Sequence, residues 1–331
     1  MQRPIFIVGF PRSGTTLLQS LLGGHPNIAA PPEVHFFLRI YNVRDYWGDL
    51  HDDEHAAAAM HELVNAPGDL LAGCGFDEAV LLQRFLGGDR SYRSLLATLL
   101  DDFAQRQGKT RWSEKTPQQT PVQAWHLMPD AQVVHIHRDP RAVIASTVTT
   151  WSDRRPPWLI AREWSSYTRT VLAEGAANPD SFVTIRYEDL AEDPESSLRS
   201  LCDFLGEDFT PDMLAPTPER MTAVAASAAR WQTEAGAPVR PASSRWSTIP
   251  LPQRALAAGA LGPDLEMLGY PPESRALTTL GRMLAPAQLP RLRREEQHAR
   301  KQARELTTPE AKYAAVCAFI DAELSVRLSS R

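Results

Sequence analysis

The first twenty-four residues constrain the fold more than any other stretch. Residues 5–8 read Ile-Phe-Ile-Val, a short β-rich apolar run. It ends at Gly9-Phe10-Pro11-Arg12-Ser13-Gly14-Thr15-Thr16, and Leu17-Leu18-Gln19-Ser20-Leu21-Leu22 then keeps helical spacing up to Gly23-Gly24. The order is strand, glycine loop, helix. Both glycines and Thr16 fit the phosphate loop GxxxxGK[ST], but Thr15 stands where the lysine belongs. Backbone N–H groups in such a loop, and at the start of the helix behind it, still face an anion. The ammonium that would reach β- and γ-phosphates is missing, so Mg-ATP is a poor fit. Arg12 supplies a cation at another place in the loop. A purely structural strand-turn-helix corner is the competing reading.

The rest of the chain continues the alternation. Strands are expected at about residues 110–113, 133–137 and 182–186, with helices at about 140–149 and 194–205. Strands alternating with helices predict a three-layer α/β fold around a central parallel sheet. Residues 36–108 read as a helical insertion, with breaks at Pro67-Gly68 and Gly87-Gly88. Residues 276–331 read as a charged helical C-terminal tail, and 207–250 as loop-rich. The expected organisation is one large domain over 1–275 followed by that tail. The 35 basic and 40 acidic residues give a formal net charge of −5, without the basic excess of a nucleic-acid binder. An anionic ligand must then be held by a few placed charges. Cys74, Cys202 and Cys317 are scattered and form no CxxC pair, which fits a reducing compartment. With no run near the roughly 20 apolar residues of a membrane span, and no leader pattern, a cytoplasmic protein is expected.

A second motif, Arg138-Asp139-Pro140-Arg141-Ala142-Val143-Ile144-Ala145-Ser146, follows the strand at 133–137. An arginine fork with a hydroxyl two helical turns on suits a terminal phosphate. The alternative is a helix start capped by Asp139 with Arg138 paired on the surface. Pro11-Arg12-Ser13-Gly14-Thr15-Thr16-Leu17 with His25-Pro26, taken with this second motif, resembles the PAPS-dependent sulfotransferases, PAPS being 3′-phosphoadenosine 5′-phosphosulfate. The resemblance runs over about residues 4–270 and is clearest at 9–33, 114–117, 135–146 and 182–190. It implies a P-loop-like fold and sulfuryl transfer from PAPS to an acceptor hydroxyl or amine. It implies that Arg12, Ser13, Gly14, Thr15 and Thr16 cradle the 5′-phosphosulfate, and that Arg138 and Ser146, eight residues apart, take the 3′-phosphate.

On the acceptor side, Glu33 lies 21 residues after Arg12 in Ala30-Pro31-Pro32-Glu33-Val34-His35-Phe36-Phe37. Prolines and aromatics around a carboxylate favour partial desolvation, which improves it as a base. The resemblance, closest in spacing to tyrosylprotein and carbohydrate enzymes, gives Glu33 the role of catalytic base. His35 is the rival proton acceptor. Lys115, in Trp112-Ser113-Glu114-Lys115-Thr116-Pro117, is implied to act with Arg12 on the sulfuryl and bridging oxygens; a surface pair with Glu114 is its bland reading. Tyr187 is implied to lie near the nucleotide; a tyrosine that only packs is the competing reading. Arg245 and Trp246 resemble the segment that closes over it. The loop, Lys115, Arg138 and Tyr187 each follow an expected strand, and ligands of open α/β sheets bind outside the carboxyl ends of strands.

Other features carry less. His51-Asp52-Asp53-Glu54-His55 matches the zinc motif H-x-x-E-H, but its polarity favours a solvated helix start. The scheme calls for no metal. Tyr41, Tyr46, Trp47, Trp151 and Trp158 suit an aromatic or sugar pocket and core packing equally. A P-loop kinase and a nucleotide-binding module without turnover stay open as other functions. The acceptor and the oligomeric state are not legible.

Overall fold

The computed structural model describes residues 3–65, 71, 74–115, 120–150, 155–214, 243–288, 290, 294, 297 and 308–318. The strands are β1 (Ile5–Val8), β2 (Ile28–Ala29), β3 (Arg111–Lys115), β4 (Gln132–His137) and β5 (Phe182–Arg186). The main helices are α1 (Thr15–Leu22), α2 (Phe36–Arg39), α3 (Asp53–Asn65), α4 (Glu78–Leu86), α5 (Tyr92–Arg106), α6 (Pro121–Leu127), α7 (Pro140–Thr150), α8 (Pro157–Ala176), α9 (Tyr187–Glu192), α10 (Pro194–Leu205), α11 (Leu251–Leu261) and α12 (Arg275–Leu284). The chain divides into two compact units. One comprises Met1–Gly9, Gly14–His137 and Glu174–Val239; the other comprises Phe10–Ser13, Arg138–Ala173 and Arg240–Arg331.

The first unit holds the sheet. Its order is β2-β3-β1-β4-β5, and every pairing is parallel. β1 is central, and its alternate residues serve opposite faces, as a pleated strand requires. Ile5 and Ile7 pack with Leu18 and Leu21 of α1, Val134 and Ile136 of β4, and Leu198 and Leu201 of α10. Phe6 turns the other way, edge-on to Phe37 at 5.9 Å and Trp112 at 5.7 Å. Helices α5 and α6 pack on β3 and β1. This is the three-layer, P-loop-like α/β arrangement that the alternating pattern implies. Local signals set α10: Asp193 accepts from Ser196 N, Pro194 opens the helix and left-handed Gly206 ends it. β2 was not foreseen, because two residues carry no periodicity; pairing with Arg111 and Trp112 creates it.

The second unit is helical. Its core joins Val143 and Ile144 of α7, Trp158 and Trp164 of α8, and Ala257 and Leu261 of α11. Arg169 forks onto Asp264 at 2.8 and 3.0 Å. Among the described residues, no helix is long and apolar enough to cross a membrane. The charged segment at 289–306 lies almost wholly outside the described residues, whereas 309–318 are helical.

Candidate active site

In the first unit, the carboxyl end of β3 meets the start of α1. β3 runs one turn of pleat further than expected, so Lys115 is its last residue and not the residue after it. The register Ile7↔Lys115 sets that side chain beside β1. Lys115 is buried, and its ammonium pairs with the carboxylate of Glu33 and reaches Thr16 Oγ1 at 3.2 Å. Its partner is therefore not Glu114. Glu33 is 7 % exposed, in keeping with its apolar setting, but that setting also gives it a cation. His35 Nε2 lies 3.3 Å from the other Glu33 oxygen. The three groups sit more than nine-tenths buried, where a charge is tolerated only with a partner.

The same unit shows why the loop carries glycines. A Cβ at Gly9 would stand 2.7 Å from the Ile136 carbonyl oxygen and 2.8 Å from Thr15 Cγ2. Gly14 has φ 99°, a left-handed conformation, and the Tyr187 ring occupies the space a Cβ would need. Tyr187 is the first residue of α9, directly after β5, and its ring covers the loop at this point. Thr15 and Thr16 open α1 behind Gly14, with helix N–H groups unclaimed by the helix itself.

In the second unit, the loop residues 10–13 meet α7. Arg12 is left-handed at φ 71°. Its Nε donates to Ser146 Oγ at 3.1 Å, and Arg138 Nη1 donates to the Arg12 carbonyl at 3.3 Å. The two residues expected at one phosphate are thus tied to one loop arginine. Left-handed backbone such as that at Arg12 turns successive N–H groups toward one side, as in an anion nest. Ser13 is fully buried and its hydroxyl has no hydrogen-bond partner, which fits a loop built to receive a polar ligand. Asp139 accepts from Arg141 N and pairs with the Arg141 guanidinium, so it caps α7. Arg138 reaches the loop through its bond to the Arg12 carbonyl.

Other expectations sort clearly. Trp246 is buried in the apolar core of the second unit with Phe10 and Val143, and Arg245 is exposed. Trp158 belongs to the same core. Trp47 is buried and donates to the Arg39 carbonyl. Tyr41 packs on Phe37 at 5.7 Å, and Tyr46 is exposed. Trp151, Thr116, Pro117 and the Pro67-Gly68 break lie outside the described residues. α3 begins at Asp53, so His51 precedes it and the two histidines of H-x-x-E-H share no helix. His51 bonds Asp49 instead. Sequence reasoning missed Gln19, whose buried amide donates to the Pro31 carbonyl at 2.8 Å and ties α1 to the segment carrying Glu33. The polar pair Gln19-Ser20 inside an apolar helical run was the available signal. It also missed Lys109, whose ammonium caps the Gly23 and Ile28 carbonyls at 2.8 Å each.

The chain is similar to several known proteins. The nodulation protein NoeE of Sinorhizobium fredii (strain NBRC 101917 / NGR234) is 30 % identical over 229 residues, 61 % of this chain and 50 % of that protein. Protein-tyrosine sulfotransferase A of Caenorhabditis elegans is 24 % identical over 211 residues, 61 % of this chain and 49 % of that protein. The chain spans about half the length of these curated relatives. The sulfotransferase domain from the Synechococcus PCC 7002 olefin synthase superposes with a TM-score of 0.55 at 25 % identity, covering 82 % of this chain and 98 % of that domain. The model of the sulfotransferase family matches residues 4–211, which contain the loop, Glu33, Lys115, Arg138, Ser146 and Tyr187, and the chain belongs to that family.

Proposed function

We propose that this protein transfers a sulfuryl group from PAPS to a hydroxyl or amine of an acceptor, by in-line displacement. The observation that carries the reading is the buried cluster of Lys115, Glu33 and Thr16 where β3 meets α1. It places a cation and a carboxylate together beside a lysine-less phosphate loop. PAPS supplies the activated sulfuryl group and leaves as 3′-phosphoadenosine 5′-phosphate (PAP). The N–H groups from Gly14 to Thr16 hold the 5′ end, with the Ser13 hydroxyl as a further donor; the Ser13 N–H itself is given to the Phe10 carbonyl at 3.1 Å. Arg138 and Ser146 hold the 3′-phosphate, and Tyr187 packs against the loop. Arg12 and Lys115 neutralise charge that grows on the transferred group and the leaving oxygen. Removing one such donor is worth about 3 kcal/mol of transition-state stabilisation. Glu33 takes the proton of the acceptor, a contribution of about 10² to 10⁴ in rate. Arg245 is assigned to the segment closing over the nucleotide; Trp246 anchors that segment in the core. Residues 36–108 shape the acceptor side within a domain of about residues 1–275. A cytoplasmic location fits the few, scattered cysteines with no CxxC pair.

The test pairs calorimetry with turnover. PAP should bind without magnesium, and labelled sulfate should move from PAPS into an acceptor in extracts of the source cell. Glu33→Gln should bind PAP as the wild type does and lose turnover by at least about a hundredfold. Tight Mg-dependent ATP binding with no response to PAP would replace this reading with a kinase. PAP binding without transfer to any acceptor would leave a nucleotide-binding module.

A further inference from the structure

His35 is used by none of the assignments above, yet its setting is the most constrained of the cluster. It is 2 % exposed, and its backbone is left-handed, at φ 52° and ψ 20°. A side chain in that region costs roughly 1–2 kcal/mol, and asparagine or glycine occupies it more readily. The left-handed backbone sets the direction in which this buried imidazole leaves the chain.

The hydrogen-bond inventory defines that role. Nε2 lies 3.3 Å from Glu33 Oε2, while Nδ1 is buried with no hydrogen-bond partner. A carboxylate oxygen only accepts, so the ring can meet it only with a hydrogen on Nε2. Lys115 engages the opposite oxygen, Oε1. The two oxygens of Glu33 thus have separate neighbours, the ammonium on one and the imidazole Nε2, 3.3 Å away, on the other. If Lys115 turns to the transferred group, the imidazole is still beside Oε2.

We infer that His35 is a positioning residue for Glu33: its Nε2–H holds Oε2 and fixes the orientation of the carboxylate when Lys115 is drawn away. The inference rests on the reading of Glu33 as the base. It makes no use of a change in charge on the ring.

Two substitutions separate this role from a structural one, because they rank in opposite orders. Asparagine suits left-handed backbone but cannot reach Oε2. Glutamine suits that backbone less well, but its amide nitrogen can take the place of Nε2. Release of inorganic sulfate from PAPS, with water as acceptor, gives kcat without an identified acceptor, and PAP calorimetry gives nucleotide affinity. His35→Gln should keep kcat within about threefold, while His35→Asn should lose roughly ten- to a hundredfold, as for a hydrogen bond to a charged group, with PAP affinity unchanged in both. An Asn variant as active as the Gln variant, or more so, overturns the inference. Nitrogen-15 NMR of the nine histidines, with His35 assigned by its loss in His35→Asn, gives a readout free of turnover. His35 should carry a hydrogen on Nε2 in the wild type and lose that preference in Glu33→Gln; a wild-type ring with its hydrogen on Nδ1 and none on Nε2 overturns the inference. If Glu33→Gln keeps wild-type sulfate release while the tautomer is as expected, Glu33 as base fails and the His35 contact stands. If Glu33→Gln loses release while His35→Asn matches the wild type, only the role of His35 fails.

Discussion

Gly14 shows how a single position answers to backbone and packing together. Its φ of 99° excludes a side chain on conformational grounds, and the Tyr187 ring excludes it sterically. Gly14→Ala should lower stability by about 2–4 kcal/mol, from left-handed strain plus overpacking, measured by urea unfolding. Adding Tyr187→Ala should recover the steric share and leave the strain, so the double variant should be less destabilised than the sum of the singles. Arg138 and Ser146 belong to a different kind of prediction. Arg138→Ala should weaken PAP by about ten- to a hundredfold and leave AMP, which lacks the 3′-phosphate, nearly unaffected. Equal loss for both nucleotides in calorimetry would remove Arg138 from the 3′-phosphate. These residues were legible because their types and spacing carry the chemistry. Gln19 and Lys109 were not, since a lone amide or lysine gives no sign of which carbonyl it will meet.

At the scale of elements, the contact of α11 with α12 depends on the absence of side chains. Gly281 faces the backbone of Ala255 and Gly259, and no Cβ fits there. Gly281→Ala should therefore separate the two helices. Hydrogen exchange should speed up across both, with the strands of the first unit unchanged. Helices such as α10 were readable because capping residues and a left-handed glycine are local instructions. Asp193→Ala should cost about 1 kcal/mol by thermal unfolding, the ordinary value of such a cap. β2 was not readable, because only its pairing with β3 makes it a strand.

At the scale of the whole molecule, the central sheet makes stability depend on pH. Burial pushes His135 down to about 3, with His137 adding to the effect, and burial together with Arg186 pushes His137 down to about 4. Both rings are neutral in the fold at pH values where the unfolded chain, titrating near 6.5, binds protons. Stability should be full above about pH 6.5 and fall as the pH drops from there toward 4. Each ring should withdraw about 1.4 kcal/mol per pH unit over that window. Urea unfolding at pH 7.5 and pH 5 measures the slope, and His137→Gln should remove roughly half of this contribution.

The sequence by itself determined the local order of strand, loop and helix, the loss of the phosphate-loop lysine at Thr15, and the residue types available for an anion and an acceptor. Those are properties of near neighbours: turn chemistry, periodicity and caps act within a few residues. Only the tertiary structure decided that Lys115 pairs with Glu33 across 82 residues of chain and that His35 closes on the other carboxylate oxygen. It also decided that Tyr187 covers Gly14. Such pairings follow from sheet register and shared burial, which choose which polar groups leave water together, and a desolvated charge must then take whatever partner the register provides.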